Sequence, residues 1–173
     1  MSIAQARQQA QRLIEQLGIT EMQSHVDVEL VAKRLGLTVV RSPLGDDISG
    51  MLVTKPGRVT ICIAKDQHSN RQRFTIAHEI GHHVLRHVFA GEHVHVDRVI
   101  MRNAKSSEGT DRREVEANQF AACLLMPEDM VHRHLRALQS RYVEDVVKKL
   151  AKQFKVSEQS MAFRLSTLGY DAM

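Results

Sequence analysis

Tryptophan is absent, tyrosine and cysteine occur twice each, and no run of about 18 apolar residues interrupts the 173-residue chain. The last absence excludes a membrane-spanning helix. The opening MSIAQARQQAQRL has no apolar core ahead of a small-residue cleavage site, so no export signal is read and a cytoplasmic protein is expected. Cys62 and Cys123 sit inside apolar runs with no metal-type spacing. That pattern suits two buried thiols in a reducing compartment rather than a disulfide framework. There is no internal repeat and no low-complexity tract.

What is present is ordinary in bulk: 43% apolar and 25% charged residues, the balance of a globular protein. The length suits one domain with a small helical appendage. A net charge of +4 is compatible with an acidic partner or nucleic acid and decides for neither. Histidine is the oddity. Ten in one chain invite a search for metal-ligand spacing, and also raise the number of accidental matches, so placement has to decide.

Periodicity and turn chemistry divide the chain. Residues 3–17 read as an amphipathic helix ending at Gly18, and Asp27 caps a second helix, Val28 to Leu35, closed by Gly36. Leu37 to Val40 read as a short strand. Ser49 to Val53 and Arg58 to Ala64 flank Thr54-Lys55-Pro56-Gly57 as a hairpin, with Val59, Ile61 and Ile63 alternating toward one face. Ser69 and Gln72 have capping-box spacing and open a helix to about His87. Residues 89–110 are polar and aperiodic, apart from His93-Val94-His95-Val96, which alternates as a short strand; a loop that long is usually functional or mobile. A helix from Asp111 to Met126 stops at Pro127. Residues 128–168 read as two or three helices, broken near Ser140 and at Val156-Ser157. The expected division is a core of residues 1–127 and a C-terminal helical part, 128–173.

His78-Glu79-Ile80-Gly81-His82 fits H-E-x-x-H. Residues four apart stack on one helix face, so both imidazoles can point at one tetrahedral ion. Glu79 lies about 100° from His78 and about 60° from His82 around the axis, placed to accept a proton from water without being a ligand. Gly81 fits where another backbone must come close. A catalytic site needs a third protein ligand and one open position. Glu114 and Glu116 are about 200° apart on their helix, so only one can face the ion. Glu114 shares its face with Ala117, Asn118, Ala121 and Leu125; the small alanines allow close approach. Glu116 shares a polar, solvent-like stripe with Arg112, Gln119 and Cys123. Glu114 is the better ligand, with a capping role toward Asp111 as its alternative. Asn118 reads either as support for a ligand or as a surface amide.

RFTIAHEIGHHVLRH followed by REVEANQFAACLLMP resembles the ImmA/IrrE family of zincin-like metallo-endopeptidases, over roughly residues 27–127. The resemblance implies zinc on His78, His82 and Glu114, Glu79 as general base, and cleavage of a helix-turn-helix repressor or antitoxin encoded nearby. It also implies transcriptional or stress regulation as the setting. Mn or Fe would accept the same donors.

The fold expected is therefore α+β: a small twisted sheet packed on the HEIGH helix, with helical N- and C-terminal parts. Zinc peptidases commonly hold substrate as an added strand, so Ser49 to Val53, with Gly50, Met51 and Leu52 at its centre, is expected to be the sheet edge that pairs with it. The bland alternative is an interior strand. His83 and His87 read as exposed helix residues, His132 and His134 as surface, and His93 with His95 offers a remote second metal site. No residue among His83, His87, Tyr142 and Tyr170 stands out as an oxyanion donor. The stretch from Val143, with Arg164 and Leu165 on its second helix, resembles a helix-turn-helix. From His132 to Lys155, seven Lys/Arg against two acids, with Lys148, Lys149, Lys152 and Lys155 among them, give a basic face and a rival: a DNA- or repressor-binding regulator without proteolysis, the alternative being helices that only pack on the core.

Overall fold

The computed structural model describes residues 2–20, 22–87, 93–98, 112–138 and 143–170. Local chemistry starts the elements. Helix α1, Ile3–Gln16, opens on a reciprocal box in which the Ser2 hydroxyl accepts from the Gln5 N–H and the Gln5 side chain accepts from the Ser2 N–H. Ala6, Ala10, Leu13 and Ile14 form its buried stripe. In α2, Val28–Arg34, the Asp27 carboxylate accepts from the Glu29 and Leu30 N–H groups, as expected of that cap. Strand β1 is Leu37–Ser42; β2, Ile48–Lys55, and β3, Arg58–Ala64, form the hairpin. Its turn is Pro56-Gly57, and Gly57 takes the φ of +71° that a side chain would resist.

The sheet has the order β1-β3-β2-β4, where β4 is His93–Arg98, the short strand expected around His93 to Val96. β1 runs parallel to β3, and β2 is antiparallel to both β3 and β4. This corrects the edge-strand expectation. Gly50, Met51 and Leu52 pair with Ile63, Cys62 and Ile61 on one side and with Asp97, Val96 and His95 on the other. Ser49 to Val53 is interior, because a segment some forty residues downstream in sequence returns to cover it.

Helix α3, Ser69–Val84, carries the HEIGH sequence. Its cap is His68, not Ser69: the His68 Nδ1 accepts from the Asn70 N–H at 3.2 Å. Gln72 is spent elsewhere, donating to the carbonyls of Ala64, Lys65 and Gln67, and so fastens the start of α3 to the end of β3. Every residue from Thr75 to His82 is buried, because β2 and β3 cover one part of the helix and α4, Arg112–Leu125, covers another. A helix enclosed this fully must satisfy its polar side chains internally. That requirement shapes the site.

The remaining helices are α5, Glu128–Ala137, α6, Val143–Phe154, and α7, Glu158–Thr167, where two or three were expected. One apolar cluster runs from Leu52, Ile61 and Ile63 through Ile76, Ile80 and Phe120 to Leu150, Phe154 and Met161, crossing position 127. Arginines stitch the joints. Arg73 donates to the carbonyls of Val26 and Lys155, and Arg164, 5% exposed, donates from Nε to the Met126 carbonyl at 3.0 Å. Among the described residues no helix is long and apolar enough to cross a membrane.

Candidate metal centre

Close helix packing brings the site together. A Cβ built on Gly81 would lie 3.2 Å from Phe120 Cδ1 and 3.3 Å from the Ala117 Cα and carbonyl oxygen. Glycine at 81 facing alanine at 117 therefore sets the α3–α4 spacing, as the small residues suggest. Glu114, one turn before Ala117, is thereby carried to the two histidines. His78 Nε2 and His82 Nε2 are 2.9 Å apart; Glu114 Oε2 is 3.2 Å from the first and Glu114 Oε1 is 3.3 Å from the second.

These lengths suit a cation. A tetrahedral zinc ion with ligands at about 2.0–2.1 Å has donor–donor edges of about 3.3–3.4 Å, close to the triangle found. Two ring nitrogens and a carboxylate packed this tightly repel one another unless a shared proton or a cation lies among them. These three side chains form a group able to hold a metal ion. The histidines are 2% and 1% exposed, whereas the Glu114 side chain is 22% exposed, so the triangle has a buried floor and a rim open toward solvent.

The neighbours orient the rings. His78 Nδ1 donates to Asn118 Oδ1 at 3.0 Å, which points its Nε2 at Glu114. Asn118 is therefore half-buried and bonded to His78 rather than a surface amide left to solvent. Phe74 stacks on His78 with ring centroids 6.3 Å apart. Glu79 is fully buried, and on its side of α3 a Cβ on Gly50 would lie 3.7 Å from Oε1 and would collide with the Thr75 methyl group. Gly50 thus belongs to the wall behind Glu79. Burial, then the Glu79 charge, pushes the Cys62 thiol pKa up, keeping it protonated.

Two expectations fail here. Glu116 is not on a solvent stripe; it is 2% exposed, accepts from His87 Nε2 at 3.0 Å and pairs with Arg112 Nε at 3.3 Å. His87 is not an exposed helix residue either: its side chain is 6% exposed and its Nδ1 lies 3.2 Å from His82 Nδ1. Burial lowers the His87 pKa, with the Glu116 hydrogen bond opposing that shift. The one sequence signal for this pair was the surplus of histidine, which does not say where each one goes.

Other candidates lie apart. His132 packs edge-on against Tyr170, and His134 against Phe154. His93 and His95 fall on the backbone of β4. Asp111 and Tyr142, with most of the expected loop 89–110, lie outside the described residues. On the helix-turn-helix reading, Arg164 is buried against Met126 rather than free for phosphate, and the exposed positions of α7 include Glu158, Gln159, Ala162 and Phe163. Lys148, Lys149, Lys152 and Lys155 stay exposed.

A family model described as peptidase M78, IrrE N-terminal-like domain, matches residues 32–166, from within α2 to within α7. Among solved structures, one described as a Mycobacterium tuberculosis transcriptional regulator superposes with a TM-score of 0.59 at 23% identity. The match covers 99% of this chain and 49% of that one, so the chain spans about half the length of this relative, and what the two share is the fold. No curated protein matches.

Proposed function

Since the chain belongs to the peptidase M78 family with an IrrE N-terminal-like domain, we propose that it is a zinc endopeptidase hydrolysing one bond in a regulatory protein. The observation that carries this reading is the triangle of His78 Nε2, His82 Nε2 and a Glu114 carboxylate, 2.9–3.3 Å on a side, with Glu79 on the intervening turn. His78, His82 and Glu114 would hold the ion. When bound, zinc acidifies water toward neutral pH and polarises a carbonyl oxygen.

The chain's own residues supply the rest. Glu79 takes one proton from the attacking water as its oxygen bonds to the carbonyl carbon. It then delivers that proton to the departing amine as the C–N bond breaks, so that water is consumed and no charge is left over. Burial of Glu79 against Gly50 keeps bulk water from competing for that proton. Asn118 holds the His78 ring in the orientation that leaves Nε2 unprotonated. Among the described residues β4 is the sheet edge on the Gly50 side, so the substrate strand expected at β2 would add at the far side of β4 instead.

The substrate class that fits the family resemblance is a helix-turn-helix repressor or antitoxin encoded nearby, in the cytoplasm. The test is to incubate the protein encoded beside this gene with zinc-loaded wild type and with Glu79→Gln, and to weigh the products. Two fragments summing to the parent plus one water, made by wild type alone, support the proposal. An intact candidate bound equally by both forms would instead favour the rival, a repressor-binding regulator that does not cut.

A further inference from the structure

Helix α3 ends in a turn that no glycine announces. Arg86 adopts φ +56°, a conformation that L-residues seldom take. Its N–H donates to the His83 carbonyl at 3.2 Å, while the His87 N–H donates to the His82 carbonyl at 2.9 Å. That pairing is the Schellman motif, which folds the residue after the left-handed position back over the last helical turn. Here the residue folded back is His87, and its ring comes to rest edge-on to His82 with centroids 5.1 Å apart.

Hydrogen-bond chemistry then fixes where the protons sit. A carboxylate only accepts, so at 3.0 Å Glu116 takes a hydrogen bond from His87 Nε2–H. A neutral His87 consequently presents a lone pair at Nδ1, and that atom, 3.2 Å from His82 Nδ1, accepts from His82 Nδ1–H. His82 is left with an unprotonated Nε2, the atom that faces His78 and Glu114. Arg112, one turn before Glu116 on α4, pairs with the same carboxylate at 3.3 Å.

We infer that His87 and Glu116 are positioning residues for the metal: the chain Arg112–Glu116–His87–His82 holds His82 in the tautomer and orientation that bind a cation. This rests on the metal-site reading above and extends it to residues that touch neither ion nor substrate. Asn118 performs the corresponding task for His78 with one side chain, so the two ligand histidines are held by different means. His82 needs two further residues because the acceptor beside it is itself an imidazole, which must be told which nitrogen carries its proton.

The test is zinc affinity of the full chain, measured by competition with a chromophoric chelator, together with the visible spectrum of the Co2+ form. His87→Leu is expected to raise the zinc Kd roughly 10–100-fold and to shift the Co2+ bands. His87→Gln offers a carboxamide acceptor and donor about 2.2 Å apart, like the two ring nitrogens, and is expected to stay within about threefold of wild type. Glu116→Gln keeps an acceptor for His87 but loses the charge, and should weaken binding less than His87→Leu does. Wild-type affinity in His87→Leu, or equal loss in the Leu and Gln variants, would overturn the inference. If His87→Leu is unfolded by circular dichroism, Glu116→Gln decides alone, and an unchanged Kd there overturns it. Failure of the wild type to bind zinc would instead sink the metal-site reading and this one with it.

Discussion

Gly81→Ala is the sharpest probe of how the fold builds the site. In an exposed helix, alanine would stabilise relative to glycine by about 1 kcal/mol. Here the new methyl would sit 3.2 Å from Phe120 Cδ1 and 3.3 Å from two Ala117 backbone atoms. Carbon pairs prefer about 3.5–4.0 Å, so α4 would have to retreat from α3 by about 0.3–0.5 Å. Overpacking of this kind costs about 1–3 kcal/mol, which equals or exceeds the helix gain. The expected net effect is a loss of about 0–2 kcal/mol, and for a chain of this size each kcal/mol lowers Tm by roughly 2–4 °C. The more telling effect falls on Glu114, one turn from Ala117. Its 3.2 and 3.3 Å approaches to the histidines would open, and zinc affinity should drop even where folding survives. Thermal melts of the zinc-free protein and chelator competition measure the two separately. A variant that melts higher than wild type and binds zinc equally well would refute the claim that glycine at 81 sets the distance between the ligand-bearing helices.

Three further outcomes are expected. Gly50→Ala should destabilise the fold, because its methyl meets the Thr75 methyl and lies 3.1 Å from the Cys62 carbonyl; adding Thr75→Ser, which deletes the first obstacle, should recover part of the lost Tm, and no recovery would contradict the packing described. Arg86→Gly should raise the melting temperature of the zinc-free protein, since glycine takes φ +56° without the usual side-chain penalty, and a lower Tm would count against strain at that turn. His25 gives a pH dependence: burial, then Lys155 and Arg73, lowers its folded pKa below the unfolded value near 6.5. As pH falls through about 6.5 the unfolded chain therefore takes up the proton first and stability declines; the melting temperature of the zinc-free protein should drop between about pH 7.5 and 5.5, and by less in His25→Gln, whereas identical pH profiles would remove His25 from the account.

Much of the site is legible in sequence because it rests on local geometry. The four-residue spacing of His78 and His82, the angular offset of Glu79, and the glycine and alanines of the facing helices follow from 3.6 residues per turn. The helical wheel puts Glu114 on the side of the histidines, where the triangle has it, yet the same wheel puts Glu116 toward solvent. Periodicity gives relative angle, not cover: Arg112 and Gln119 give its stripe a solvated look, while His87, beyond the end of α3, folds back to bury it. His87 looks like one more helix residue because the turn at Arg86 carries no glycine to announce it. Ser49 to Val53 reads equally as an edge or an interior strand, because strand order depends on β4, distant in sequence. The cap at His68 was hidden by a capping box whose glutamine tightens the preceding turn instead. In each case local pattern was right about the element and silent about which distant segment lies against it.

The central claim is that two imidazoles and the Glu114 carboxylate hold one divalent cation. Calorimetric titration of Zn2+ into metal-free wild type and into Glu114→Ala tests it most directly. One ion per chain is expected in wild type, with binding at least tenfold weaker in the variant. Equal affinity in both forms, or no ion bound by a folded wild type, would contradict it.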